Sequence, residues 1–571
     1  MGDIEDLDKE TTRVEILHEL MSFVKDGKMN QREFNIEMNR LSRKHRHING
    51  KVELIECYRK LIENNIILSN FEFEKLICKK PSRSCSGILS ITLVMSPFPN
   101  GQTFSCKHNC YYCPNEPAHE GNNWQAQPRS YLYKEPAVKR ANDNNFLAYE
   151  QMIDRMSVLY KNGHKIDKLE IILEGGTYTE YPVDYLEEYH RDIYYAANTF
   201  FECEKREKCT LQEEIKQNRY QKVHIIGICI ETRPDVIDSG WIYHLRSCGV
   251  TRIQLGVQHT DNEILKKVNR GHTVEQAGVC IERLKNLAFK IDIHIMPDLP
   301  FTTVEKDKRC FDYVYDVLKP DQMKIYPCAV TPWTIIEQWY KKKKWTPLSK
   351  EELLEIMNYA MVKCPNWIRL PRVVRDIPND YIFAGNRIPN LREHLSKSNE
   401  IRSREIERHP EYYDLSAKIF VTQYSESDYF ISYESTDRKA IFGFVRLRLM
   451  RNKSNSEYKF LNQLALIREL HVYGFNTEVG CYPTSAQHRG IGKKLLNKAE
   501  YMAFKKLWRG VAVISGEGVK NYYSKQGYYE YDTYMIKDFV VMKCLYWIYN
   551  AVMGLCKSTQ TLASSHVAQC K

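Results

Sequence analysis

The sequence predicts an α/β protein whose larger part is built on a parallel sheet. Six short apolar runs alternate with amphipathic helical stretches such as 146–160 and 262–287. Repeated strand–helix units of this kind form a parallel sheet, either doubly wound or closed into a barrel. The predicted strands cover 88–95, 168–173, 222–230, 252–257, 290–295 and 323–326.

Two further regions flank this sheet. Residues 12–67 carry apolar side chains at helical spacing, which predicts an N-terminal helical region. A second α/β unit begins at 416, with strands predicted near 418–423, 440–449, 466–473 and 510–515 and a helix over 492–504. We therefore predict a helical region (1–80), a sheet domain (81–340), a polar connecting region (341–415), a second domain (416–540) and an apolar tail (541–571).

Composition narrows the class of protein. The 571 residues are 43% hydrophobic and 27% charged, as in globular proteins, which excludes global disorder. Eighteen cysteines are too dilute for a disulfide scaffold, and the acidic start of the chain is no signal peptide. We expect a reducing compartment, the cytoplasm or also the nucleus. The net charge of +11 permits a polyanionic partner such as RNA.

Two segments allow alternative interpretations. The basic run over 40–47 is either a solvated helix face or a contact with a phosphate backbone. The 18 residues of 539–556 are apolar apart from Lys543 and Asn550. That length is barely enough for a bilayer core of about 30 Å. A tail anchor in an intracellular membrane and a docked or partner-binding helix are therefore competing interpretations.

Three cysteines form the strongest candidate metal site. Cys106, Cys110 and Cys113 have the spacing C-x3-C-x2-C in a loop after the first predicted strand. Three neighbouring thiolates suit an iron–sulfur cluster. A zinc site would need a fourth ligand, for which His108 is available, so spacing alone leaves zinc open.

Other candidate residues stand where parallel strands end, the usual place for chemistry in such folds. Gly175 and Gly176 follow the second strand, and Glu231 and Arg233 end the third. In the second domain, 487–492 reads Q-x-x-G-x-G directly before a helix. Glycines and free backbone N–H groups at a helix start cradle a pyrophosphate. Tyr522 and Tyr523 follow downstream.

The cysteine spacing together with the glycine pair resembles the signature of the radical S-adenosylmethionine (SAM) enzymes. The resemblance implies a partial (βα)6 barrel in which Cys106, Cys110 and Cys113 bind a [4Fe-4S] cluster. In that family one iron lacks a protein ligand and binds SAM, which is cleaved to a 5′-deoxyadenosyl radical. Gly175, Gly176, Glu231 and Arg233 then match positions that contact SAM.

The second domain resembles the GCN5-related N-acetyltransferases (GNAT), which bind acetyl-CoA. This resemblance implies that a splayed strand pairs with the pantetheine arm and that a loop before the helix holds the pyrophosphate. A tyrosine, Tyr523 or its neighbour Tyr522, lies near the thioester. The matching strand residues are Glu469, Leu470, His471 and Val472, and the matching loop residues are Ala486, Gln487, His488, Arg489, Gly490 and Gly492.

The phrases IILEGGT, GICIETRPD and QHRGIGKKLL, in this order, resemble the family of Elongator catalytic subunits over roughly 30–540. The resemblance implies an acyltransferase that uses both cofactors to form carboxymethyluridine at the wobble position of tRNA. It implies binding of the anticodon stem-loop, with help from the basic N-terminal region, and assembly with other Elongator subunits. Lys168 matches a lysine that handles acetyl-CoA at the radical site.

The sequence departs from the family pattern at one point, and it allows two other functions. The family's linker cysteine is missing from 399–405, which leaves Cys328 and Cys364 as candidate ligands of a linker zinc. A protein lysine acetyltransferase, acting on histones or tubulin, would use Glu469 or Glu517 as general base and would not need the cysteines. A third alternative is an RNA-binding scaffold with decayed sites, against which the intact cysteine and glycine motifs argue.

Overall fold

The computed structural model describes residues 2–24, 29–45, 50–84, 86–413, 415–455, 457–474 and 490–541. The predicted loop residues 486–489 and the tail beyond 541 lie outside this part of the chain. Within it, no helix is long and apolar enough to cross a membrane.

The N-terminal region is helical, as predicted. Its helices are α1 (Gly2–Val24), α2 (Gln31–Lys44), α3 (Lys51–Glu63) and α4 (Phe71–Ile77). They share a small core around Phe34 and Phe73. The Arg59 guanidinium lies 3.7 Å from the centre of the Tyr160 ring, which docks α3 on the sheet domain. In the basic run, Lys44 forms an ion pair with Glu19 at 2.7 Å, as on a solvated helix face.

Six parallel strands form the large sheet, in the order of the sequence. They are β1 (Leu89–Val94), β2 (Lys168–Glu174), β3 (His224–Thr232), β4 (Val250–Gln258), β5 (Lys290–Ile295) and β6 (Gln322–Ile325). All six predicted strands are confirmed to within a few residues. The sheet has β1 and β6 as its edges, so it is an open, partial barrel.

Helices follow the strands along the chain. They are α5 (Pro136–Asp143), α6 (Ala148–Lys161), α7 (Val183–Thr199), α8 (Leu211–Gln217), α9 (Ser239–Ser247), α10 (Asn262–Lys267), α11 (Val274–Lys285) and α12 (Val304–Tyr313). The amphipathic stretch 262–287 is helical, as predicted, but it contains two helices, α10 and α11. Asn269 and Gly271 adopt left-handed backbone angles, φ 56° and 84°, which end α10 before α11 begins.

The connecting region is folded onto the barrel. β7 (Ala329–Val330) and α13 (Ile335–Lys341) precede it at the end of the sheet domain, and it contains α14 (Lys350–Lys363), β8 (Ala384–Gly385) and α15 (Ile401–Arg404). The Tyr315 hydroxyl donates to the carbonyl oxygen of Ala360 at 2.7 Å, which fixes α14 against the segment after α12.

The second domain is a mixed sheet with one long helix against it. Its elements are β9 (Ala417–Gln423), β10 (Asp428–Ser435), β11 (Ile441–Arg448), β12 (Leu464–Val472), α16 (Ile491–Lys505), β13 (Gly510–Ile514), α17 (Lys520–Ser524), β14 (Tyr529–Tyr531) and β15 (Tyr534–Asp538). The sheet order is β14-β15-β13-β12-β11-β10-β9. Strands β10, β14 and β15 were not predicted from the sequence.

The second domain packs against the edge of the barrel where the parallel strands begin. The Arg468 guanidinium binds the carboxylate of Asp321, just before β6, with Nη1 2.6 Å from Oδ2. Lys290, the first residue of β5, lies 3.9 Å from Glu469. The backbone of Gly516 packs directly on Ile226 of β3. The barrel interior therefore faces the second domain at one end.

Candidate active site

The three cysteines lie at the opposite edge of the barrel, where the strands end. The Thr177 hydroxyl, after β2, donates to Cys106 Sγ at 3.1 Å. Arg270 Nη1 lies 3.4 Å from the Sγ of Cys110, and Arg233 Nη1, after β3, lies 3.7 Å from the same sulfur. Three separate loops thus hold the cysteine segment in place.

The glycine pair fits closely between this loop and β1. Gly175 and Gly176 both have left-handed backbone angles, with φ 137° and 96°. A Cβ on Gly176 would lie 2.5 Å from the carbonyl oxygen of Ser105, the residue before Cys106. The N–H of Thr177 donates to that same oxygen at 3.1 Å. Glycine is needed here because the strand end and the cysteine loop are in backbone contact.

The electrostatics of the loop suit anionic sulfur. A hydrogen bond from the Cys113 thiol, together with the positive charge of Arg270, lowers the pKa of Cys110 to about 4. Two arginines close to Cys110 favour a negatively charged cluster with thiolate ligands. His108, the alternative fourth ligand for zinc, lies 3.6 Å from Glu180. In the described part of the chain, no three His, Cys, Asp or Glu side chains are grouped to hold a single metal ion.

A cluster distributes its cysteines over different irons and does not require the three sulfurs to converge on one point. The cysteine loop therefore fits a [4Fe-4S] cluster better than a tetrahedral zinc ion. Cys328 and Cys364, the candidate ligands of a linker zinc, are each buried, and within the described residues neither belongs to a group of three His, Cys, Asp or Glu side chains that could hold a metal ion.

The predicted SAM residues lie beside the cysteine loop. Glu231 accepts a hydrogen bond from the Tyr131 hydroxyl at 2.8 Å and lies 3.3 Å from the imidazole of His294. Burial opposes ionisation of Glu231, yet the charges of His294 and Lys324 hold its pKa at about 2. Arg233 is bound through two nitrogens by Asp235, at 3.0 and 2.9 Å. Both side chains are therefore charged and fixed.

The barrel interior is polar, a feature that the sequence analysis did not predict. Gln254 Oε1 accepts hydrogen bonds from Lys324 Nζ at 2.5 Å and from His294 Nε2 at 2.9 Å. Arg252 pairs with Glu170 of β2. The sequence nevertheless contains a pattern that indicates a polar interior. Inward positions of β2, β4, β5 and β6 carry charged or polar side chains in alternation along the strand. Those positions are Lys168, Glu170, Glu174, Arg252, Gln254, Lys290, Asp292, His294, Gln322 and Lys324.

In the second domain, the strand predicted to bind acetyl-CoA is splayed. β12 pairs with β13 only from Leu464 to Ile467. Beyond that point Glu469, Leu470, His471 and Val472 pair with β11 alone. Within the described residues, β13 does not pair with the other backbone edge of Glu469, Leu470 and His471, where pantetheine amides can form hydrogen bonds. Gly490, with φ 75°, is the N-cap of α16 and lies at the same opening.

Both predicted tyrosines lie at this opening. The Tyr522 and Tyr523 rings are 5.3 Å apart and nearly perpendicular. A Cβ on Gly492 would lie 2.8 Å from the Tyr522 hydroxyl, so glycine lets that phenol approach the start of α16. Burial raises the pKa of both phenols, which keeps them protonated as hydrogen-bond donors.

One cavity of about 1100 Å³ connects these parts. Its wall includes Tyr522 and Tyr523 in the second domain and Lys168 at the start of β2. It continues inside the barrel to Glu174 and Tyr131, which adjoin the predicted SAM residues. The cysteines and the residues predicted to contact SAM therefore lie at one end of the barrel, and Lys168 lies with the residues predicted to bind acetyl-CoA at the other.

The two carboxylates considered as bases for lysine acetylation are engaged in ion pairs. Glu469 Oε2 accepts from Arg446 Nε at 2.9 Å, and Glu517 binds Arg219 and Lys520. Burial opposes ionisation of Glu469, but Lys290 and Arg446 hold its pKa at about 2. So acidic a carboxyl is a weak general base near neutral pH.

Comparison with known proteins gives the family. The Radical SAM superfamily matches residues 102–309, and the Radical_SAM C-terminal domain matches 320–402. This family implies a [4Fe-4S] cluster and SAM. A solved structure, "The archaeal Methanocaldococcus infernus Elp3 with N-terminus deletion (1-46)", superimposes with a TM-score of 0.64 and 28% identity. That match covers 79% of this chain and 99% of the archaeal one.

Curated relatives are similar in sequence to this protein over most of its chain. The tRNA uridine(34) acetyltransferase of Methanocaldococcus infernus is 32% identical over 486 residues, which are 81% of this chain and 88% of that protein. Elongator complex protein 3 of Homo sapiens is 30% identical over 476 residues, 80% of this chain and 85% of the human protein. The chain therefore belongs to the family of tRNA uridine(34) acetyltransferases and Elongator complex protein 3, and it is an enzyme of the acyltransferase class.

Proposed function

We propose that the protein modifies the wobble uridine of tRNA, using acetyl-CoA and a SAM-derived radical to form carboxymethyluridine. The relatives named tRNA uridine(34) acetyltransferase and Elongator complex protein 3 support tRNA as substrate and other Elongator subunits as partners. The observation that carries the proposal is the single cavity that reaches from the tyrosines of the second domain to Glu174 in the barrel.

Each end of the cavity has a distinct task. Cys106, Cys110 and Cys113 would hold the cluster, and Glu231 and Arg233 would orient SAM. Bound there, these cofactors would supply radical chemistry, the abstraction of a hydrogen atom from the methyl of the acetyl group. The protein's own part is to bind the reactants, to align them and to exclude water.

The acetyl group enters from the second domain. The end of β12 over 469–472 would bind the pantetheine arm, and the N-terminus of α16 would bind the pyrophosphate. Lys168 begins β2 beside this opening and would hold the thioester within the barrel mouth. The protonated phenols of Tyr522 and Tyr523 donate hydrogen bonds that suit the oxygen of a thioester.

An arginine cluster beside the cavity suits a polyanionic substrate. Arg83, Arg140 and Arg155 line one wall, and none of them forms an ion pair with a carboxylate of the described residues. Burial and then the charges of Arg140 and Arg83 lower the pKa of Arg155 to about 10. Mutual repulsion of this kind is relieved when a phosphate binds.

The test uses anaerobically reconstituted protein. We expect iron binding, SAM cleavage and acetyl-CoA hydrolysis that rises when tRNA is added. Cys110→Ala should abolish SAM cleavage but leave acetyl-CoA binding unchanged, since the thiol and the second domain lie at opposite ends of the barrel.

The proposal would be refuted if the rate of acetyl-CoA hydrolysis did not change when tRNA is added and protein lysines were rapidly acetylated. That result would favour a lysine acetyltransferase instead. Mass spectrometry of wobble uridine in cells that lack the protein provides the matching test in vivo, where carboxymethyl-type nucleosides should disappear.

A further inference from the structure

Asp292 is an unpaired carboxylate enclosed in the barrel. It lies in the middle of β5, has no solvent exposure, and lines the cavity. Neither of its oxygens has a hydrogen-bond partner in the described part of the chain. A buried carboxylate without a partner costs several kcal/mol. Such a group in a ligand cavity indicates that a ligand supplies the missing hydrogen bond.

The side chains beside this carboxylate form hydrogen bonds with other partners. In the strand register, Asp292 stands between Gln254 of β4 and Gln322 of β6. The amide nitrogen of Gln254 donates to Cys229 Sγ at 3.1 Å, and its oxygen accepts from Lys324 and His294. The side-chain oxygen of Gln322 faces Arg252 Nη1 at 3.4 Å.

Two cations flank Asp292 diagonally. Arg252 precedes Gln254 by two residues on β4, and Lys324 follows Gln322 by two residues on β6. The Nε of Arg252 has no hydrogen-bond partner among the described residues. Lys324 uses one of its three N–H donors on Gln254. By strand register, Asp292 on the inner face therefore stands between two residues that carry donors, Arg252 and Lys324.

We propose that Asp292, between Arg252 and Lys324, reads the pyrimidine edge of the target uridine. The order of groups on uracil is carbonyl O2, N3–H and carbonyl O4, which is complementary to donor, acceptor, donor. Cytosine presents a bare N3, which would oppose the Asp292 carboxylate, and an amino group toward one cation. This inference rests on the proposed function, because it assigns the residues that select uridine at that site.

Such a site strongly prefers one base over another, because a mismatched base leaves buried polar groups unpaired. The Asp292→Asn side chain has the same shape and can donate to cytosine N3. We expect this variant to lose about tenfold in kcat/KM for a uridine substrate and to reduce the uridine-to-cytidine preference by at least as much. A purely structural role would alter stability without changing base preference.

The experiment compares two synthetic anticodon stem-loop RNAs that differ only in uridine or cytidine at the wobble position. Acetyl-CoA hydrolysis stimulated by each RNA, and direct binding of each RNA by fluorescence anisotropy, are measured with the full-length reconstituted protein. Asp298→Asn is the matched control. Asp298 is also buried and its Oδ2 is unpaired, but it does not line the cavity. It should retain the wild-type preference.

The outcomes separate the inference from the function. If Asp292→Asn keeps the wild-type preference for uridine, the inference is overturned while the proposed function stands. If neither RNA binds to the wild-type protein or stimulates its acetyl-CoA hydrolysis, both the proposed function and the inference are refuted. Should Asp292→Asn not fold, Lys324→Met serves as the second variant, and an unchanged base preference in that variant also overturns the inference.

Discussion

The Asp321→Asn substitution tests whether a buried ion pair joins the barrel to the second domain. Asp321 and Arg468 are both fully buried, with Nη1 2.6 Å from Oδ2. Asparagine preserves the shape, and its oxygen can still accept from the N–H of Ile291. The negative charge is lost, and an N–H donor replaces the oxygen that accepts from Arg468 Nη2. Removal of one partner from a buried pair costs about 3–5 kcal/mol. Asp428 Oδ1 remains 3.9 Å from Arg468, which places the expected loss near the lower end of that range.

Hydrogen–deuterium exchange of peptides from β6 and β12 measures this loss locally, which matters because a chain of several domains need not unfold in two states. Both peptides should exchange faster in Asp321→Asn. The control is Asp376→Asn, whose partner Arg372 lies 3.0 Å away in a half-exposed pair. Exposed pairs contribute about 0–1 kcal/mol, so this control should change little. If Asp321→Asn changes exchange no more than the control, the ion pair does not hold the domains together.

Three other predictions concern the site. Gly176→Ala should reduce the iron bound per chain after reconstitution, since its methyl group would lie 2.5 Å from the Ser105 oxygen; unchanged iron content would contradict this. Glu469, with its pKa lowered from 4.5 to about 2, contributes stability above pH 4.5 that is lost as pH falls toward 2. Urea unfolding should show that loss in the wild type and a flatter profile in Glu469→Gln, and equal profiles would refute the assignment. Tyr523→Phe should slow tRNA-stimulated hydrolysis by about tenfold while acetyl-CoA still binds, as calorimetry can verify; unchanged turnover would exclude a role for the phenol.

The sequence predicted the fold well because its strands and motifs are local signals. The six barrel strands, the cysteine loop and the glycine pair were each recognised from a few consecutive residues. Strand β10 was missed because DYFISYES mixes aromatic and polar residues without the alternation of a half-buried strand. The split between α10 and α11 was missed because the left-handed turn at Asn269 interrupts an otherwise helical pattern.

The polar interior of the barrel was harder to predict, although the sequence contains a pattern that indicates it. In β5 the sequence KIDIHI alternates strictly, which places Lys290, Asp292 and His294 on one face and three isoleucines on the other. Parallel strands are usually apolar on both faces, so the run was interpreted as a core strand. Only the three-dimensional register shows that the polar residues of β2, β4, β5 and β6 share one enclosed space.

The arrangement of the two domains constrains how the reaction can proceed. Lys168 and Glu174, at the two ends of β2, both line the cavity, and seven residues of a parallel strand span about 20 Å. The cysteine loop lies beyond Glu174, whereas the end of β12 lies beyond Lys168. For the proposed function, an acetyl group held at the second domain alone would be too far from the cluster end for direct hydrogen transfer. The acetyl-bearing arm would have to extend into the barrel, where the polar inner wall would hold the base against it and the enclosed walls would exclude water.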